Sequence, residues 1–271
     1  MSRKIRFSKE SQSSLNDFFV HRSPEQPKSK AEENLPAGIL SAFRTDVGKV
    51  RANNQDAPIV SEKLRLYGVA DGMGGHKGGE VASTSARDDL LRELEGKTPS
   101  VAALSGAIEE VNRQIYHQQE HDDALTGMGT TLVAALILKD TAVIINVGDS
   151  RAYLFTAEGV QLLTTDHSIV EFMVQRGELT QEQAKNHPGK NVITRAVGTE
   201  PSVEGDIYIQ KLHRDDCLLL CSDGLSNVMA DQEMLFEVVH GMSKSDCCQR
   251  LLRIAKNRGA PDNVTVAMAL V

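Results

Sequence analysis

Short runs rich in Val, Ile, Leu and Thr recur along most of this chain. They are Ile39–Thr45, Leu66–Ala70, Thr130–Leu138, Ala142–Val147, Ala152–Phe155, Val192–Ala196, Val203–Ile209, Cys217–Ser222 and Val264–Leu270. Most are bounded by Gly, Asp or Asn, and runs of this length and make-up predict β-strands. Long helical patterns intervene only early, at Glu80–Leu94 and Val101–Gln119. In the second, Leu104, Ile108, Val111 and Ile115 recur at three- and four-residue steps, making one apolar face. Thr98, Pro99 and Ser100 supply its cap and start. Further helices are predicted at Ser168–Arg176, Gln181–Lys185, Gln232–Val239 and Lys244–Asn257. Several consecutive strands have no helix between them, so the pattern is α+β with antiparallel sheets rather than a regular βαβ alternation.

The apolar runs share a second property: they end at an acid beside a small or turn-forming residue. Asp71 precedes Gly72, Asp149 follows Gly148, and Asp223 precedes Gly224. In mirror image, Asp262 leads through Asn263 into the last run, and Asp56 stands just before Ala57-Pro58-Ile59-Val60. One Asp-Gly pair is ordinary turn chemistry. Several such acids at the ends of neighbouring strands would converge on one sheet edge and repel one another unless a cation neutralised them. Ligands that are all oxygen suit hard cations, Mg²⁺ or Mn²⁺, better than zinc or copper.

After Asp71 comes the glycine-rich stretch Gly72-Met73-Gly74-Gly75-His76-Lys77-Gly78-Gly79. Such a loop lets backbone approach an ion or phosphate closely. It lacks the spacing of a P-loop. His76 is positioned either as a solvated loop histidine or as a catalytic acid. Arg51, five residues before Asp56, would serve either in a structural ion pair or as a bidentate clamp on a phosphate.

Composition narrows the partners. The net charge is −7 and only 4% of residues are aromatic, with no Trp. Neither a basic groove nor a base-stacking platform is available, which disfavours nucleic acid and a metal-dependent nuclease. The longest apolar run, Leu132–Leu138, is far short of a membrane span, and the N-terminus lacks the apolar core of a secretory signal. A cytoplasmic protein with no membrane partner is expected. The cysteines, Cys217, Cys221, Cys247 and Cys248, form no CxxC pair and read as reduced thiols. Residues 1–36 hold seven Lys and Arg, five acids, many serines and three prolines, and read as a disordered polar tail. Within it, Leu15–Val20 is an apolar island that could dock a partner.

Taken together in order, these segments resemble the bacterial PPM class, the metal-dependent type 2C serine/threonine protein phosphatases. The resemblance is carried by residues 45–56, 69–76, 127–131, 147–153, 163–168, 191–198, 221–225 and 262–266. It implies a catalytic domain over residues 37–271, built as a four-layer α-β-β-α sandwich with metals at one end. It also implies roles. Asp71 and the carbonyl of Gly72 would hold two ions of Mn²⁺ or Mg²⁺ with Asp223 and Asp262, and Asp56 would act through a water. Asp149 with Asp223 would hold a third, weaker ion. Arg51 would bind the substrate phosphate, His76 would protonate the leaving hydroxyl, and residues 165–190 would form a mobile flap. A metal-activated water would attack phosphoserine or phosphothreonine directly. The partners implied are phosphorylated proteins, among them a cognate Ser/Thr kinase and its substrates, acted on by a monomer. Gln55 departs from the family, standing where many relatives carry Glu. A non-catalytic scaffold that only binds phosphoproteins is the alternative, and its mark would be lost acids; none is lost.

Overall fold

The computed structural model describes residues 4–6, 39–74 and 78–271. Of the tail, Lys4–Arg6 forms strand β1; the island Leu15–Val20 lies outside the described residues. The strands that follow are β2 (Leu40–Asp46), β3 (Asp56–Ser61), β4 (Leu66–Met73), β5 (Gly129–Thr130), β6 (Leu132–Leu138) and β7 (Thr141–Val147). Then come β8 (Arg151–Thr156), β9 (Gly159–Leu162), β10 (Asp206–Lys211), β11 (Cys217–Cys221) and β12 (Val264–Leu270). The helices are α1 (Gly78–Leu94), α2 (Val101–His121), α3 (Ile169–Gln175), α4 (Gln181–Lys185), α5 (Asp223–Ser226), α6 (Asp231–His240) and α7 (Lys244–Asn257).

The strands form two sheets, ordered β1-β9-β8-β11-β12-β2 and β10-β7-β6-β4-β3, with β5 beside β4. Every pairing is antiparallel. Alternation of side chains across each strand then defines the layers. In β11, Leu218 and Leu220 meet Tyr67, Val69 and Ile144 of the other sheet. Their neighbours Cys217, Leu219 and Cys221 face the opposite way, against Met234 and Val238 of α6 and Leu251 of α7. In β6, Leu132, Ala134 and Leu136 pack beneath Leu90 of α1 and Leu104, Ile108 and Val111 of α2. Both sheets are therefore covered on both faces, which is why β6 and β11 are apolar along their whole length. The result is the four-layer α-β-β-α sandwich.

Local signals agree at the helix starts. Ser100 accepts from the Ala103 amide at 3.1 Å and caps α2, and Ser243 caps α7 in the same way through Asp246. Three readings need correction. Val192–Ala196 is not a strand; this stretch makes a single bridge, Ser168 to Ile193, and the residue after it, Val197, bridges to Thr130. The run Thr130–Leu138 breaks at Thr131 into β5 and β6, and Val203–Ile209 becomes a strand only from Asp206. β3 carries Pro58, which would disqualify a central strand, but β3 ends its sheet and a missing amide is tolerated on an outer edge.

All four cysteines are free and buried. Burial pushes the Cys217 thiol up to about 11 and that of Cys248 to about 12. Thiols so far from ionising are poor nucleophiles. Among the described residues no helix is long and apolar enough to cross a membrane.

Leu220 lies between the two sheets and is fully buried. Leu220→Ala should lower the stability measured by denaturant unfolding by about 2–5 kcal/mol, as truncation of well-packed leucines does. A loss under about 1 kcal/mol would mean that the sheets do not pack as described.

Candidate active site

One end of the sandwich gathers the acids because the antiparallel register brings particular strand ends together. Asp56, the first residue of β3, pairs directly with Asp71 near the end of β4. β4 continues to Met73, so Asp71 lies within the strand, not just past it. Asp149 follows the end of β7, and Asp223 opens α5 just after β11. Asp262 stands two residues before β12, whose first residue, Val264, pairs with Asp46.

The floor of this end is tied down by polar side chains. Ser222 donates to Asp56 Oδ2 at 2.8 Å, while its Oγ accepts from the Thr265 amide at 3.0 Å. Asn263 Oδ1 accepts from the Gln55 amide at 2.8 Å, and its Nδ2 donates to the carbonyls of Val47 and Asn53. Asn227 Nδ2 donates to Asp223 Oδ2 at 2.9 Å. Gly72 lies so close to the start of α1 that a Cβ there would sit 2.0 Å from the Gly79 carbonyl oxygen. No side chain fits, so backbone meets backbone at this point. The Gln55 side chain also lies against Gly79.

The carboxylates strain against one another. Burial raises Asp56 to about 6, with Asp223 adding repulsion. Burial likewise raises Asp223 to about 6, helped by Asp262, and Asp149 to about 8, helped by Asp223 and Asp166. Asp71 is raised well above the carboxylate range by burial and by the charges of Asp56, Asp223, Asp149 and Asp262. Asp71, which holds its proton, is within hydrogen-bonding reach of both Asp56 and Asp223, and those bonds pull the two of them down against their burial. Asp56 Oδ1 is buried with no hydrogen-bond partner among the described residues. An orphaned anionic oxygen among other carboxylates calls for a cation. Among the described residues no three His, Cys, Asp or Glu side chains already form a metal-holding group. Hard divalent ions take waters and backbone carbonyls as well as carboxylates, so such a group is not required of them. The all-oxygen donor set fits Mn²⁺ or Mg²⁺.

Arg51 is half-exposed at the rim, and its Nη2 donates to Asp262 Oδ2 at 2.7 Å. His76 lies outside the described residues. Sequence reasoning passed over Ser222 and Asn263, whose partners lie far away in the chain, and Asn227, which reaches back one helical turn to Asp223. It also assigned no role to Asp166, which pairs bidentately with Arg151 at 2.6 and 2.9 Å beside Asp149.

The chain matches the protein phosphatase 2C family over residues 26–253. It is 41% identical over 235 residues to the serine/threonine phosphatase stp of Listeria welshimeri, covering 83% of this chain and 93% of that one. The Mycobacterium tuberculosis serine/threonine phosphatase PstP/Ppp superposes with a TM-score of 0.81 at 36% identity, over 86% of this chain and 99% of that one. The catalytic domain of PstP in complex with two manganese ions gives 0.79 at 35% identity, over 86% and 98%. This chain belongs to the protein phosphatase 2C family and is a metal-dependent protein phosphatase.

The raised carboxyls bind protons in the folded, metal-free protein that the unfolded chain has already released. Stability from this cluster therefore falls as pH rises from the ordinary carboxylate range toward 8. In the metal-free protein Asp149→Asn should raise the thermal midpoint, with a gain that grows from pH 6 to pH 8. A midpoint no higher than wild type at pH 8 would remove Asp149 from the repelling cluster.

Proposed function

We propose that this chain hydrolyses phosphoserine and phosphothreonine on proteins. The observation that carries the reading is the buried Asp71, raised by four surrounding carboxylates and reaching Asp56 and Asp223. Asp71, Asp223, Asp262 and the Gly72 carbonyl would hold two ions of Mn²⁺ or Mg²⁺, with Asp56 contacting them through water. Asp149 with Asp223 would hold a third, weaker ion. Bound there, divalent cations supply a water of lowered pKa and offset charge on phosphoryl oxygens.

The protein's own groups do the rest. Arg51 is half-exposed and paired only at the rim, so its guanidinium is placed to leave Asp262 and grip two phosphate oxygens. Ser222 keeps one oxygen of Asp56 occupied, and the other has no hydrogen-bond partner among the described residues. His76 would hand a proton to the departing seryl or threonyl oxygen. The segment 165–190, which carries α3 and α4, would act as the flap beside the cleft. The cellular setting that suits these properties is a cytoplasmic monomer opposing a Ser/Thr kinase and acting on that kinase and its substrates.

Purified protein should release phosphate from a phosphothreonine peptide with Mn²⁺ or Mg²⁺ and stop when EDTA is added. Asp223→Asn, nearly isosteric, should fold and lose turnover. Wild-type turnover by that variant would remove Asp223 from the site. His76→Ala should slow the phosphopeptide by about 10²–10⁴-fold and an aryl phosphate far less, because an aryl leaving group needs little protonation. Equal slowing of both would sink the acid role.

A further inference from the structure

Asp149 sits in the sharp turn between β7 and β8, and one residue outside that turn holds it at its N-terminal side. The Gly148 amide donates to His167 Nδ1 at 3.1 Å, and the Gly148 carbonyl accepts from the His167 amide at 2.9 Å. Both backbone groups of Gly148 thus bond His167, and the carbonyl also accepts from Asn146 Nδ2 at 3.2 Å. Gly148 has φ +104°, and a Cβ there would press into Thr131 at 2.7 Å, so only glycine fits at this point of the turn. On the far side of Asp149, Arg151 is gripped by Asp166, the residue just before His167. Asp149 is bracketed by two consecutive residues from the root of the flap.

The hydrogen bonds define the tautomer of His167. A backbone amide can only donate, so Nδ1 must be bare and the proton sits on Nε2. Nε2 lies 3.3 Å from Asp206 Oδ2, which accepts. Arg195 also approaches Nε2, but a guanidinium only donates; its Nη1 bonds Asp206 Oδ1 at 2.7 Å and the Glu204 carbonyl at 2.8 Å instead. Burial and the Arg195 charge favour the neutral ring, against the pull of Asp206. Asp206 therefore aims His167, and His167 aims the turn. The network also reaches the flap's other root, since the Thr194 amide donates to the His167 carbonyl at 2.8 Å.

We propose that His167 is a positioning residue that, through its Nδ1 bond to Gly148, sets the Asp149 carboxylate for the weakest-held divalent ion. The proposal rests on the reading of Asp149 as a ligand. It concerns metal binding directly, so its test does not depend on turnover.

An asparagine amide oxygen falls near the place of a histidine Nδ1, and a glutamine amide nitrogen near Nε2. His167→Asn keeps the acceptor for Gly148; His167→Gln keeps the donor to Asp206 and loses that acceptor. Mn²⁺ binding to metal-free full-length wild type, both variants and Asp149→Asn would be followed by the paramagnetic signal of free Mn²⁺. Wild type and His167→Asn should bind alike, while His167→Gln and Asp149→Asn should weaken the loosest site by about tenfold or more, with the tighter sites unmoved. If Asp149→Asn weakens that site but His167→Gln does not, the positioning role fails and the Asp149 reading stands. Equal weakening by the two His167 variants would also overturn the role, since the Gly148 acceptor would then not be what matters. If Asp149→Asn itself binds Mn²⁺ like wild type, the Asp149 reading fails and takes the proposal with it.

Discussion

Negative charges crowded at one end of a stable sandwich are the constraint from which the rest of this protein follows. Asp56 and Asp71 face each other across a strand pair, and Asp149, Asp223 and Asp262 are close enough to raise Asp71 together. A fold would not keep such an arrangement for its own stability, because buried like charges oppose folding. Under the proposed function, divalent cations paired with these carboxylates would offset the repulsion, and relief of that repulsion would favour metal binding.

The scaffold tolerates this strain because the layers beneath are complete. Two sheets, each covered on both faces, place the ends of β4, β7 and β11 and the starts of β3, β8 and β12 side by side. The acids hang from those ends and need no flexible loop to meet. Ser222, Asn263 and His167 then fix the turns that carry them by bonding backbone or carboxylate from another part of the chain, and Asn227 holds Asp223 from one helical turn on. The acids are thus held by the sheets and their turns, whereas Arg51 sits half-exposed at the rim, paired with Asp262.

Much of this was legible in the residues because the signals were local. The three- and four-residue spacing and Ser100 cap of α2, the helix composition of α7 and the continuous apolar runs of β6, β7, β11 and β12 are each contained in a short stretch of chain. The five acids could be singled out because each adjoins an apolar run. What escaped were features decided by distant contacts. Val192–Ala196 has strand composition, yet no partner strand lies along it, so it makes only isolated bridges. β3 was not among the expected strands; its Pro58 is acceptable because β3 is an edge. The Gly148–His167 clasp joins residues 19 apart in sequence, and no spacing rule announces it.

The central claim is that carboxyls held above their ordinary range by one another are the groups that receive the metal. Its most direct test is proton release on Mn²⁺ binding, measured calorimetrically on metal-free protein near pH 6.5 in buffers of different ionisation enthalpy. If the proposed ligands hold the metal, cations entering the cluster would displace the protons that Asp71 and Asp149 retain. A net release of about one proton or more per protein is expected, reduced in Asp149→Asn. Tight Mn²⁺ binding with no proton release would contradict the account.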